Sequence, residues 1–323
     1  MTSVASLLAP VEADLRLLAD NLKSLVGTRH PILSAAAEHL FGAGGKRMRP
    51  AIVLLVSRAT ATADDITPRH RRLAEIAEMI HTASLVHDDV VDEAPTRRNV
   101  ATVNHLFGNR VAVLAGDFLF AQSSWYLANL DNLDAVKLLS EVIRDFAEGE
   151  IQQELSQFDT SQSIAAYLQK SYFKTASLMA NSAKAAGLLS GVSSSTAEQL
   201  YCYGRDFGLA FQIVDDILDL TASSEVLGKP AGSDLAGGNL TAPVLYALEE
   251  VPELQSLLAR KLAQSGDLER AMDLVNASNG IARARELAHQ HVRQAMQALE
   301  ALEPSQPRQA LLELGDYAVG RLY

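Results

Sequence analysis

Residues 68–92 read PRHRRLAEIAEMIHTASLVHDDVVD. Apolar residues recur through the stretch at helical spacing and Pro68 suits a first helical turn, so the reading predicts one helix over 68–92. That helix ends in acids, Asp88-Asp89-Val90-Val91-Asp92. Asp88 and Asp92 are four apart and share a face. Like charges so placed cost a helix roughly 0.2–0.5 kcal/mol per pair. A second helical run repeats the pattern as Asp215-Asp216-Ile217-Leu218-Asp219. Stacked acids inside apolar helices call for a neutralising partner, and Mg²⁺ held through carboxylates and a substrate phosphate suits the spacing.

Outward from this stretch the periodicity stays helical, with helices expected at about 4–26, 31–42, 50–60, 68–92, 111–130, 133–157, 164–190, 195–220, 241–263, 267–276, 280–302 and 307–319. No strand alternation persists and no fixed-period repeat appears, so the expected fold is all-α: one domain over 1–323, of packed antiparallel helices. The break in the pattern is Thr221–Ala242, TASSEVLGKPAGSDLAGGNLTA, whose glycines and length mark a structureless flap over the second acidic motif. Arg69, Arg71 and Arg72 read as a solvated helix start.

Of the 323 residues 48% are hydrophobic and 21% charged, which supplies a core and excludes a disordered chain. The net charge of −11 argues against nucleic-acid binding. With Cys202 alone, no intramolecular disulfide and no cysteine zinc cluster can form. No run reaches the roughly 18 apolar residues of a membrane span. The opening Met1-Thr2-Ser3-Val4 lacks a basic segment, so a secretory signal is not expected.

Upstream, Gly44-Gly45-Lys46-Arg47-Met48-Arg49-Pro50 is a glycine-flanked basic turn before a helix, a place for an anion but not a P-loop. Arg97 and Arg98 follow the first acidic motif closely. His81 lies seven residues before Asp88 on nearly the same face, whereas His87 points about 100° away from it. Lys174-Thr175 interrupts an apolar helix, Gln212 precedes Asp215 by three, and Lys229 sits in the glycine-rich gap.

The ordered set GGKRMRP, His81, DDVVD, Arg97-Arg98, Lys174-Thr175, FQIVDDILD and GKPAGSDL resembles the trans-isoprenyl (polyprenyl) diphosphate synthases over roughly residues 30–245, and GKPAGSDLAGGNLTAP resembles the solanesyl (nonaprenyl) branch. The resemblance implies helices around a deep central cavity, a homodimer, and two acidic motifs facing each other across the cavity mouth. It implies a magnesium-dependent condensation of isopentenyl diphosphate with an allylic diphosphate, with about three Mg²⁺ ions per site. Asp88, Asp92 and Asp215 are the implied metal ligands, with Asp219 supporting the second cluster; with Lys174 they form the catalytic set. Arg97, Lys174, Thr175, Gln212 and Lys229 are implied for the allylic diphosphate, and Lys46, Arg49, His81 and Arg98 for isopentenyl diphosphate. Many family members carry a lysine near Asn239, and this departure leaves Asn239 without an assigned contact. The implied compartment is the cytoplasm, or the plastid stroma for a processed eukaryotic chain.

Counting back from Asp88, Ser84, Ala83, Ile80 and Ile76 form a stripe beside the aspartate face. In the family, bulky aromatics before this motif stop the product early. Small Ser84 and Ala83 therefore imply growth past about twenty carbons, to about C40–C50, with C45 chosen by resemblance and quinone side chains as the use. Phe118, Phe120, Trp125 and Leu127 stand as tunnel floor or as ordinary core. A geranylgeranyl-length (C20) synthase and a class I terpene cyclase are the alternatives; the intact second motif opposes the cyclase. A phosphohydrolase built on His87-Asp88 and an inactive helical subunit are further rivals.

Overall fold

The computed structural model describes residues 4–25, 31–42, 47–63, 65–97, 100–223 and 230–322. The helices are α1 (Val4–Leu7), α2 (Glu12–Leu25), α3 (Pro31–Gly42), α4 (Met48–Thr60), α5 (Pro68–Val91), α6 (Val103–Phe107), α7 (Asn109–Ala128), α8 (Leu133–Leu155), α9 (Ile164–Ser171), α10 (Ser177–Ser190), α11 (Ser194–Thr221), α12 (Ser233–Ala236), α13 (Ala242–Leu248), α14 (Pro252–Ala259), α15 (Asp267–Ala277), α16 (Gly280–Ala298) and α17 (Gln306–Gly320). The only strands among the described residues, β1 (Thr96–Arg97) and β2 (Val100–Ala101), pair antiparallel. No helix among them is long and apolar enough to cross a membrane.

Three expected helices are broken, each for a local reason. The run 4–26 is interrupted by a 3₁₀ turn at Ala9–Val11 that carries Pro10. The run 241–263 divides into α13 and α14, because Val251 is extended before Pro252, as the residue before a proline prefers. Between α9 and α10 the chain widens into a π turn, Tyr172–Ala176, carrying Lys174 and Thr175. Such a turn inserts a residue and re-aims the side chains beyond it, often at functional sites.

The chain forms two compact units. The first comprises Met1–Ile143, Leu178–Gly204 and Leu299–Leu314. Its spine is α5, packed against α2, α4, α6 and α7. Leu73, Ile76, Ala77, Ile80 and Ala83 are all fully buried on α5, the apolar stripe expected of a core helix. Gly116 of α7 is what allows close approach, since a side chain there would run into the His87 ring. The arginines after Pro68 are not a solvated start. Arg71 Nε reaches Asp14 at 2.7 Å and its Nη2 reaches Asp65 at 2.8 Å. Arg72 pairs with Glu75 at 2.9 Å and lies over the Tyr126 ring, while Arg69 donates to the Leu130 carbonyl. Long arginine stems cover apolar surface while their heads find acids, a possibility that charge clustering in sequence does not reveal.

At the start of α5 the Thr67 N–H donates to His70 Nδ1 at 3.2 Å, and His70 Nε2 lies 3.1 Å from Ser190 Oγ. Burial holds the His70 pKa below its ordinary 6.5, so the folded unit keeps the ring neutral. The unfolded chain then binds more protons, and stability is fully present above about pH 6.5 and is lost as pH falls through the depressed folded value. Thermal melts between pH 8 and pH 5 should show this decline, and His70→Gln, which keeps an acceptor and a donor, should flatten it. An unchanged slope in the variant would assign the decline to other groups.

The second unit comprises Arg144–Ser177, Arg205–Ala298 and Gly315–Tyr323. Its core gathers Tyr167, Ile213, Val214, Ile217, Leu240 and Val244 with apolar residues of α14–α16. The gap predicted as structureless is in part ordered: α12 lies within it. The Gly232 N–H donates to the Asp219 carbonyl at 2.8 Å, and the Phe158 N–H to the Gly238 carbonyl at 2.8 Å.

Candidate functional site

The first acidic motif closes α5. Asp88 is half-buried, Asp92 is the exposed C-cap, and the Asp92 N–H donates to the Asp88 carbonyl at 2.8 Å. Asp89, one residue on, is rotated about 100° into the protein and is buried. Arg97 Nε on β1 donates to Asp89 Oδ1 at 2.7 Å. Burial pushes the Asp89 carboxyl up, and the Arg97 charge works against that push. The turn after the helix passes through Glu93 at φ +50°, a left-handed position that glycine would favour. It is held by Thr102 Oγ1 donating to the Ala94 carbonyl at 2.7 Å and Asn104 Nδ2 donating to the Asp89 carbonyl at 3.0 Å. A helix end so fastened fixes where Asp88 and Asp92 present their oxygens.

On the same helix, His81 Nε2 accepts from Arg49 Nη1 of α4 at 3.0 Å, which brings together two residues expected to share one anion. Arg47, at φ +50°, turns the other way, to Glu78 and the Phe41 carbonyl. A cavity of about 60 Å³ opens beside them, lined by His39, Arg47, His81 and Arg97 with Glu78 and Asp89. Lys46, Arg98 and Lys229 lie outside the described residues. His87 points to α7, with Nε2 3.1 Å from the Val113 carbonyl and 3.6 Å from Asp117, as its angular offset from Asp88 required.

In the second unit the motif on α11 is fastened more fully, with Asp216 and Asp219 both buried and Asp215 half-buried. Asp216, the inner acid, is buried and accepts from Tyr167 OH at 2.5 Å and Gln212 Nε2 at 2.8 Å. Thr175 Oγ1 donates to Gln212 Oε1 at 2.7 Å. Thr175, Gln212, Asp216 and Tyr167 thus form one relay, and Gln212 acts on the motif through Asp216. Lys174 Nζ reaches Glu150 at 2.6 Å and Gln153 at 2.9 Å. Asp215 pairs with Arg321 at 2.7 Å. Asp219 is buried and accepts from Ser233 Oγ at 2.9 Å and the Asp234 N–H at 3.2 Å, so it caps α12. Sequence reasoning missed Tyr167, Glu150, Gln153 and Arg321. The inner positions Asp89 and Asp216 were also not singled out, although the one-residue offset rotates them about 100° from the Asp88 and Asp215 faces.

Burial, together with the Asp234 carboxylate, pushes the Asp216 carboxyl up to about 8. The Asp234 and Asp215 carboxylates add to that push, so the second motif gathers acids at a desolvated position. The donors are hard carboxylate oxygens, which suit Mg²⁺. Magnesium keeps several waters and takes one or two carboxylates plus phosphate oxygens, so a cage of three protein ligands is not required. The described residues hold no group of three or more acids, histidines or cysteines poised around one ion. The residues present fit an ion shared with a substrate.

Residues 30–275 match the family model described as Polyprenyl synthetase. The chain belongs to the polyprenyl synthetase family. It is a trans-polyprenyl diphosphate synthase, an enzyme that transfers prenyl groups. The prenyl transferase of Synechocystis sp. is 69% identical over 323 residues, covering all of both chains. Solanesyl-diphosphate synthase 2, chloroplastic, of rice (Oryza sativa subsp. japonica) is 55% identical over 99% of this chain and 80% of its own length. The crystal structure of a decaprenyl diphosphate synthase from Rhodobacter capsulatus superposes with a TM-score of 0.93 at 32% identity, covering 99% of this chain and all of that one. The all-α fold of the polyprenyl synthases is thereby established. Within it, Ile76, Ile80 and Ala83 are fully buried and Ser84 Oγ donates to the His81 carbonyl at 2.9 Å. Trp125 is 61% exposed, so it is not ordinary core of this chain.

Proposed function

We propose that this chain, as one synthase domain over 1–323, condenses isopentenyl diphosphate with an allylic diphosphate, with Mg²⁺, to a long all-trans polyprenyl diphosphate of about C40–C50, most simply C45, for quinone side chains. The observation that carries the reading is the fastening of the inner acids, Asp89 by Arg97 and Asp216 by Tyr167 and Gln212, beside Asp88, Asp92 and Asp215, which sets where those carboxylates lie. Solanesyl synthase relatives support a long product.

Asp88, Asp92 and Asp215 are the proposed magnesium ligands, and bound Mg²⁺ would supply Lewis-acid stabilisation of the departing diphosphate. The chain's own work is positioning. Arg49 and His81 orient isopentenyl diphosphate so that its double bond lies against the allylic carbon. Lys174, Thr175 and Gln212, with Arg97, hold charge-assisted hydrogen bonds to the allylic diphosphate that strengthen as negative charge collects there. Asp219 fastens α12 and with it the downstream half of the flap, which limits entry of water to the allylic carbocation that loss of diphosphate leaves.

A homodimer is part of the reading. Val113, Leu114 and Trp125 are exposed on one face of α7 at helical spacing, an apolar stripe that a second copy would cover. The cytoplasm or the plastid stroma is the proposed compartment.

Mass spectrometry of products from labelled isopentenyl diphosphate and a short allylic primer tests the reaction and the length together. A ladder ending at twenty carbons would favour the geranylgeranyl-length alternative. Ala83→Phe should shorten the ladder, because an aromatic ring one turn before Asp88 fills the path of the growing chain. Overpacking a buried site costs about 1–3 kcal/mol, so the variant's melt is read beside its products. An unchanged ladder from a folded variant would reject this stripe as the ruler.

A further inference from the structure

Lys170 is the most deeply buried lysine among the described residues, only 4% exposed, and nothing said so far uses it. It lies on α9, one turn before Lys174, and the π turn between them keeps the two ammonium groups within electrostatic reach of each other. Like charges one helical turn apart repel, and burying an ammonium is costly unless it is compensated. The surroundings supply compensation from one side. Asp216, Asp234 and Glu150 all favour the charged form of Lys170, although burial lowers its pKa overall. Its hydrogen bond among the described residues goes to a neutral acceptor, Asn239 Oδ1 at 2.5 Å. The Asn239 N–H in turn donates to the Asp234 carbonyl at 2.8 Å, so the Asn239 backbone is tied to the α12 segment that Asp219 caps. An ammonium has three donors. One goes to Asn239, which fixes the group, and the group's valence allows an anion as a further acceptor. Three residues away on the same helix, Tyr167 contacts Asp216 directly, so α9 presents a phenol and an ammonium to the same acidic motif.

We propose that Lys170, seated by Asn239, is a further diphosphate-binding residue of the second unit, and that it forms with Lys174 a two-lysine clasp for the allylic diphosphate. The inference rests on the synthase reading and deepens it. A diphosphate is the class of ligand that two ammoniums within electrostatic reach of each other and of carboxylates fit. Its charge relieves the lysine–lysine repulsion, while divalent ions at the carboxylates offset the acids. A chloride or single carboxylate would answer only one of the two ammoniums. Asn239 is the right partner for such a role. An aspartate at that position would hold the ammonium as a salt bridge, whereas a neutral amide orients the group without spending its charge.

The test uses the full chain and inorganic pyrophosphate, titrated calorimetrically in the presence of Mg²⁺. Lys170→Met keeps the stem and removes the charge, and methionine is welcome in a buried site, so the variant is expected to fold. Its pyrophosphate affinity should fall by about tenfold or more, the size of a lost charge-assisted contact. The exchange variant Lys170→Asn with Asn239→Lys returns the ammonium to the same place from the other side and should recover most of the loss. The KM for isopentenyl diphosphate should be little changed in both variants. Equal pyrophosphate affinity in the parent and in Lys170→Met overturns the clasp and leaves the synthase reading intact. An exchange variant as weak as Lys170→Met overturns it too, because packing rather than charge would then be what was lost. Failure of the parent chain itself to bind pyrophosphate with Mg²⁺ would remove the reading on which the inference stands.

Discussion

Asp88→Ala is expected to lower turnover of isopentenyl diphosphate by about a hundred- to a thousandfold, the range seen when one preorganised electrostatic contact to a developing charge is removed. The fold should be little affected. Asp88 lies on the outward side of α5, and deleting one of two like charges four apart relieves a helix by roughly 0.2–0.5 kcal/mol. The inner acid carries the structural role instead: Asp89 holds Arg97, and its backbone carbonyl accepts from Asn104. Steady-state incorporation of labelled substrate, read beside far-UV circular dichroism, separates the two effects. Asp88→Asn refines the result, since it keeps the shape and one oxygen while removing the charge. Turnover within a few-fold of the parent in Asp88→Ala would end the metal-ligand assignment.

The second large effect is expected on stability. Asp14 of α2 is buried between two guanidiniums, Arg58 of α4 at 2.5 Å and Arg71 of α5 at 2.7 Å. Asp65 touches the same pair, at 3.4 Å and 2.8 Å, but its side chain is 58% exposed and it is well screened. Asp14→Ala would leave two adjacent, partly buried arginines facing each other. Breaking a fully buried pair costs about 3–5 kcal/mol; with the arginines 25% and 30% exposed, about 2–3 kcal/mol is expected. The loss should appear as a lower denaturant midpoint and a lower Tm. Arg16→Ala is the control. Its pair with Glu12 is 74% and 57% exposed, and such surface pairs contribute about 0–1 kcal/mol. Equal shifts in both variants would mean that the Asp14 network adds nothing beyond a surface charge pair.

The two acidic motifs show how far spacing alone reaches. A separation of four residues puts Asp88 with Asp92 and Asp215 with Asp219, and helical geometry delivers each pair without reference to the rest of the chain. What each outer acid touches is not set by that spacing. Asp219 caps α12, while Asp215 meets Arg321 from the far end of the chain. The basic stretch after Pro68 was misread for a related reason. Composition reports the sign of a charge cluster, but Arg69 and Arg71 reach partners more than fifty residues away, Arg71 also takes Asp65, and Arg72 pairs on its own helix, and no local pattern encodes that choice.

By itself the sequence determined that the chain is helical, where its acids and cations recur, and, through the order of those motifs, which family it belongs to. These are properties of short segments, and periodicity and spacing within one helix are set by backbone geometry. Only the tertiary structure decided that Asp89 and Asp216 are buried supports, that the loop after α11 is anchored on Asp219, that a π turn presents Lys174 and Thr175, and that Lys170 sits on Asn239. Each of these depends on burial and on a partner brought from elsewhere in the chain. Desolvation and hydrogen-bond pairing exist only once the helices have packed.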